Sequence, residues 1–113
     1  MVQTELNFQS NPFMDDYTSY AATRCGREAY QFDMDNPKIM EYFIRFADEV
    51  RRKGFRKYSA NAIFERIRWH VSIETTDGEF KISNNHRAYY ARRLMAIDGR
   101  FEGFFCVKGA RCS

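Results

Sequence analysis

The densest run of chemically capable side chains in this sequence is Asn84-Asn85-His86-Arg87-Ala88-Tyr89-Tyr90-Ala91-Arg92-Arg93. Wound as a helix, it sets Arg87 and Tyr90 on one side with Asn84 near them, and clusters Tyr89, Arg92 and Arg93 on a neighbouring side. Such a surface suits a nucleic acid. Arginine forks onto guanine edges or phosphates, asparagine can read adenine, and tyrosine hydroxyls reach backbone oxygens. The free N–H groups and dipole at a helix start also attract phosphate. The same residues equally describe a solvated basic helix whose tyrosines complete a core.

A second group strengthens the nucleic-acid reading. Arg51, Arg52, Lys53, Arg56 and Lys57 put five bases into seven residues, interrupted by Gly54 and Phe55. Neutralising phosphates with such a run gives salt-sensitive affinity with little sequence preference. The first three are accounted for by the negative end of a helix, whereas Arg56 and Lys57 are not. Arg66, Arg68 and Trp69 extend the basic face, with one arginine expected to pair with Glu65 or Glu74.

Catalytic chemistry has little to stand on. His70 and Glu74 are spaced i, i+4, but the chain has only two histidines and no acid cluster of metal-ligand spacing. Cys106 sits in Phe104-Phe105-Cys106-Val107, a setting for a buried thiol rather than a nucleophile. No glycine-rich phosphate loop is present. The expectation is a non-enzyme with no cofactor and no metal.

The elements that must position these groups are clearest after residue 35. Asn36 and Pro37 suit a helix start, and Ile39, Phe43, Phe46, Ala47 and Val50 follow helical spacing up to Gly54. This predicts a helix over 37–53. Ser59 can cap a second helix burying Ile63, Ile67 and Val71. Val71 to Thr75 alternate as a strand would, Thr76-Asp77-Gly78-Glu79 signals a turn, and Phe80-Lys81-Ile82 reads as a short strand. Ser83 or Asn84 can cap a third helix to about Ile97, with Ala88, Ala91 and Leu94 or Met95 inward. Phe101 to Lys108 reads as a terminal strand. The expected fold is therefore α+β: a small domain of about three helices with a short hairpin and a C-terminal strand, in winged-helix-like order. It departs from that plan in one respect, because thirteen residues, 71–83, separate the second and third helices where a helix-turn-helix uses three or four.

At 113 residues the chain is of single-domain size and needs neither metal nor disulfide to fold. An apolar content of 44% with 17% aromatics excludes a wholly disordered chain. No apolar run is long enough to cross a membrane, and the opening MVQTELNFQSNPFMDD lacks the basic start and apolar core of a secretory signal. Three cysteines, Cys25, Cys106 and Cys112, cannot all pair within one chain, and reduced thiols in a cytoplasmic protein are the expectation.

The net charge of +3 conceals an asymmetry. Residues 1–37 hold six acids and two bases, a local −4, while residues 38–113 hold sixteen bases and nine acids, a local +7. We read residues 1–35 as an acidic, aromatic-containing arm with a short helix near Asp15 to Arg24, and 36–113 as a basic globular domain. Such an arm either packs on the domain, where it can weaken non-specific DNA binding, or meets a partner.

Asn36-Pro37, Tyr58-Ser59-Ala60, Glu65-Arg66-Ile67-Arg68-Trp69, Asn84-Asn85, Tyr90-Ala91-Arg92 and Gly103-Phe104-Phe105 resemble segments of small proteins encoded by bacteriophages and prophages, over about residues 32–108. The resemblance implies a phage-encoded protein acting in the bacterial host cytoplasm, either a DNA-binding regulator or an inhibitor of host enzymes and defence complexes. The first expectation is thus a non-catalytic accessory protein binding nucleic acid, duplex DNA foremost, through Arg56, Lys57, Asn84, Asn85, Arg87, Tyr89, Arg92 and Arg93. The alternative is a host-protein interaction module using Phe13, Tyr17, Tyr20 and Tyr30.

Overall fold

The computed structural model describes residues 11–71 and 83–106. Among the described residues five α-helices follow one another: α1 (Pro12–Ala21), α2 (Arg24–Asp35), α3 (Pro37–Arg52), α4 (Ala60–Trp69) and α5 (Asn84–Ile97). A 3₁₀ turn, Gly99–Phe101, follows α5.

Local chemistry sets most of the boundaries. Asn11 opens α1 by accepting the Phe13 and Met14 N–H groups at 3.0 and 3.2 Å, with Pro12 in the first turn. Thr23 opens α2 by accepting the Gly26 N–H. Gly26 is obligatory there, because a Cβ would collide with the Tyr20 carbonyl as α1 crosses close above it. Ser59 and Ser83 cap α4 and α5 as their positions in the sequence predict, accepting from Ala62 and His86. Asn36 differs from expectation. It stands at the start of α3, but its side chain donates back to the Phe32 carbonyl and so ties off α2 instead. Gly54, at φ +103°, ends α3.

The helices pack around α5, which contacts each of α1, α2, α3 and α4 as well as the 3₁₀ turn. Tyr89, Tyr90, Ala91, Arg92, Leu94 and Met95 are all buried, so consecutive residues meet protein on every side of this helix. Phe43 of α3 is the centre of the aromatic packing, with ring centroids 4.8 Å from Phe64, 5.2 Å from Phe105 and 5.9 Å from Tyr90. Residues 12–35, read from sequence as an arm, are two helices, and Tyr20, Cys25 and Ala29 join the common core.

The α+β, winged-helix-like expectation is overturned: among the described residues there are helices and no strand. The segment expected to form the terminal strand turns through 3₁₀ geometry, passes Gly103 at φ +73°, and buries Phe101, Phe104 and Phe105. A strand would alternate inward and outward, whereas adjacent Phe104 and Phe105 both enter the core. One parallel bridge remains, Tyr58 to Phe105, with the Tyr58 N–H donating to the Phe104 carbonyl at 3.0 Å. The expected hairpin falls mainly on 72–82, outside the described residues; at its edges Val71 continues the α4 path and Ser83 caps α5.

Phe43 is fully buried at the meeting of three other aromatic rings. Phe43→Ala is expected to cost about 3–5 kcal/mol in urea unfolding. A loss below about 1 kcal/mol would show that α3 is not packed on α5 in this way.

Candidate nucleic-acid interface

The eight side chains singled out from sequence divide sharply. Arg56 and Lys57 lie exposed in the connection between α3 and α4, and no ion pair joins either to an acid among the described residues. Lys53 is exposed beside them, and Phe55 keeps half its surface in water while its ring edge meets Tyr58 at 5.4 Å. The two arginines that begin the run are held differently. Asp48 accepts from Arg51 Nε and Nη2 at 3.1 and 2.9 Å and lies 2.8 Å from Arg52 Nε. The hydrogen bonds from Arg51, helped by the Arg52 and Arg100 charges, hold the Asp48 carboxyl below its usual range against the opposing effect of desolvation.

On α5 the basic residues turn inward. Arg92 is 4% exposed; its guanidinium lies over the Tyr20 ring at 4.6 Å, and its Nε approaches Asp16 Oδ2 to 2.9 Å without the alignment of a hydrogen bond. Arg93 Nη1 donates to Asp33 Oδ2 at 3.1 Å, and Asp33 is itself buried. Arg87 is half-buried, with Nη2 3.5 Å from Glu65 Oε2. Tyr89 is fully enclosed and its hydroxyl meets that of Tyr17 at 3.2 Å. Burial first, and the Tyr17 contact second, push the Tyr89 phenol well above its usual value. Asn85 donates to Cys25 Sγ at 3.4 Å, while its carbonyl accepts from the Tyr20 hydroxyl. Of the α5 group only Asn84 is exposed.

The structure therefore does not present the α5 set as one outer face. Tyr89 and Arg92 belong to the core, and Arg87 and Arg93 are engaged by acids. The aromatic residues of the alternative reading split likewise. Tyr20 is core, Phe13 and Tyr17 pack partly against it, and Tyr30 is 48% exposed beside Met34 on the next turn of α2. The pairing expected for α4 is present, as Arg68 lies 3.7 Å from Glu65; Arg66 instead reaches Glu49 at 2.6 Å and stacks over Phe46.

Sequence reasoning missed one concave feature, a groove of about 240 Å³ between the first turns of α4 and α5. Asn61, Asn84, Arg87, Ala88, Arg92 and Cys106 line it. Cys106, expected to be buried, is exposed and free; Cys25 is disulfide-bonded, against the expectation of reduced thiols. Among the described residues no three His, Cys, Asp or Glu side chains come together as a metal site, and no helix is long and apolar enough to cross a membrane.

His86 stacks on Phe32 at 4.8 Å and accepts or donates with Ser83 Oγ at 2.6 Å. Burial lowers its pKa from 6.5, partly offset by the nearby Glu28 charge. The unfolded state then takes up the proton first, so stability is complete above the unfolded value and falls as pH drops below about 6.5. Replacing His86 with Gln should flatten that part of the stability–pH curve in urea titrations between about pH 7 and 5. An unchanged slope would show that His86 is not desolvated.

Arg93→Ala strands Asp33 in the core and should cost about 2–3 kcal/mol, less than a fully buried pair because Arg93 retains some exposure. Adding Asp33→Asn should recover part of that loss, and simple additivity of the two changes would contradict the pairing.

No family model, curated protein or solved structure matches this chain.

Proposed function

We propose that this protein is a non-catalytic nucleic-acid-binding accessory or regulatory protein of phage type, holding duplex DNA by its phosphate backbone through the α3–α4 connection. The observation that carries the reading is the set of exposed cations Lys53, Arg56 and Lys57, without ion pairs among the described residues, around the half-exposed ring of Phe55. Arg51, Arg52 and Arg66 spend their charge on neighbouring acids; these three face water, where their charge can neutralise phosphates. The exposed Phe55 adds a face on which a base or sugar can pack. The arrangement favours backbone contacts and gives no set of asparagines and arginines aligned for a groove, so affinity should depend on salt more than on sequence.

The resemblance to small phage and prophage proteins supports a role within an infected bacterium, and the bacterial cytoplasm is the compartment it implies. The Cys25 disulfide is the observation that weighs against a reducing compartment. A second reading, a module that binds a host protein, is favoured by Tyr30 and Met34, which expose about half their surface on adjacent turns of α2.

Fluorescence anisotropy against a labelled duplex across a salt series separates the two. Binding should weaken steeply with salt, and Arg56→Ala with Lys57→Ala should reduce the log–log slope by about 2. Tyr30→Ser with Met34→Ser should leave it unaltered. Absence of binding at low ionic strength, or a slope indifferent to Arg56 and Lys57, would overturn the nucleic-acid reading.

A further inference from the structure

Phe55 is the exposed aromatic ring of the connection between α3 and α4. A lone apolar side chain in water is ordinary on a protein surface; what sets this one apart is its company and its seat. Half of its surface is exposed. Lys53, Arg56 and Lys57 stand within two residues of it, exposed and with no ion pair among the described residues.

The ring is braced from one side and open on another. Its contact with Tyr58 is steeply inclined, 71° at 5.4 Å between centroids, so Tyr58 supports it without lying flat over it. Tyr58 is itself anchored: its N–H donates to the Phe104 carbonyl at 3.0 Å, and its side chain packs against the core. On the other flank Gly54 stands at φ +103°, where a Cβ would meet no atom within 4 Å, so the approach beside the ring is unobstructed. Arginines cover other rings, Arg66 over Phe46 at 4.2 Å and Arg51 over Phe101 at 5.9 Å. Among the described residues no cation covers Phe55 in this way.

We propose that Phe55 is a stacking platform for an unpaired nucleobase, so that the DNA preferred by this connection carries single-stranded nucleotides beside a duplex. The inference rests on the nucleic-acid reading of the same connection and names the part of the DNA that it recognises. A base inside a duplex has both faces taken by its neighbours, and offering one to a protein ring requires unstacking. An unpaired base needs no such opening. Every base has a π-face, so the preference is for strandedness and not for sequence. The flanking cations select the occupant: Lys53, Arg56 and Lys57 neutralise phosphates on either side of the stacked nucleotide, whereas an uncharged apolar partner leaves them without counter-charge.

The test is fluorescence anisotropy of the full chain at low salt with three labelled DNAs. These are a blunt duplex, that duplex with a thymine overhang of about six nucleotides, and the same duplex with an abasic overhang of equal length. The two overhangs carry equal phosphates, so stacking alone separates them. The thymine overhang should bind about five- to hundredfold more tightly than the abasic one, with the same log–log salt slope. Phe55→Ala and Phe55→Leu should erase that ratio, the leucine keeping an apolar contact with Tyr58 but no π-face, and Phe55→Tyr should retain it. Phe55 is half-exposed, so none of these changes removes core packing. Equal binding of the two overhangs, with a salt slope that still falls in Arg56→Ala with Lys57→Ala, would overturn the stacking and leave the nucleic-acid reading standing. A ratio that survives Phe55→Ala would overturn it likewise, and absence of binding to all three DNAs would overturn both. Phe55-dependent sedimentation with phosphatidylserine vesicles, alongside equal binding of the overhangs, would contradict the proposal and mark the connection as a membrane-surface contact.

Discussion

A helix carrying three arginines and two tyrosines lies at the centre of this fold, and the packing depends on how that polarity is matched. Arg92 approaches Asp16 on α1, Arg93 bonds Asp33 on α2, and Arg87 reaches Glu65 on α4. Each guanidinium thus faces an acid from a different neighbouring helix. Charge taken from water is costly unless paired, so these contacts constrain where α1, α2 and α4 can sit. They supply specificity of arrangement more than net stability, which comes from the apolar burial around Phe43, Phe64 and Tyr90.

The same matching explains where charge remains available. With Arg51 and Arg52 drawn to Asp48, the α5 arginines engaged inside and Arg66 turned to Glu49, three exposed cations with no ion pair among the described residues, Lys53, Arg56 and Lys57, stand together between α3 and α4. That connection is held by the Tyr58–Phe105 bridge and by the Ser59 cap, so its bases project from a fixed base rather than a free tail. A groove at the starts of α4 and α5 is lined by Asn61, Asn84, Arg87, Arg92 and Cys106.

Helix positions after residue 35 were legible because they rest on local signals. Pro37, Gly54, Ser59 and Ser83 mark ends that the structure reproduces to within a residue. The role of α5 was not legible. A helix that packs on every side shows no apolar stripe, and its arginines and tyrosines read as an outer face when two of the opposing acids, Asp16 and Asp33, lie sixty or more residues away in sequence. The split into −4 and +7 did contain the clue, since Asp16 and Asp33 belong to the acidic segment that packs back on the basic one. The terminal aromatics misled for a different reason. A short apolar run fits a strand or a core plug equally, and only tertiary contact decides. The groove, formed by residues distant in sequence, had no linear signature; Asn61 and Cys106 belong to it solely through packing.

The whole arrangement depends on α5 being the buried hub and not an outer recognition helix. Amide hydrogen exchange on the free protein tests this most directly. The amides from Tyr89 to Met95 should exchange only through global unfolding and rank with the slowest in the chain, while those of Lys53 to Lys57 exchange rapidly. Exchange of the α5 amides at the pace of a surface helix, well ahead of those around Phe43, would contradict the arrangement described.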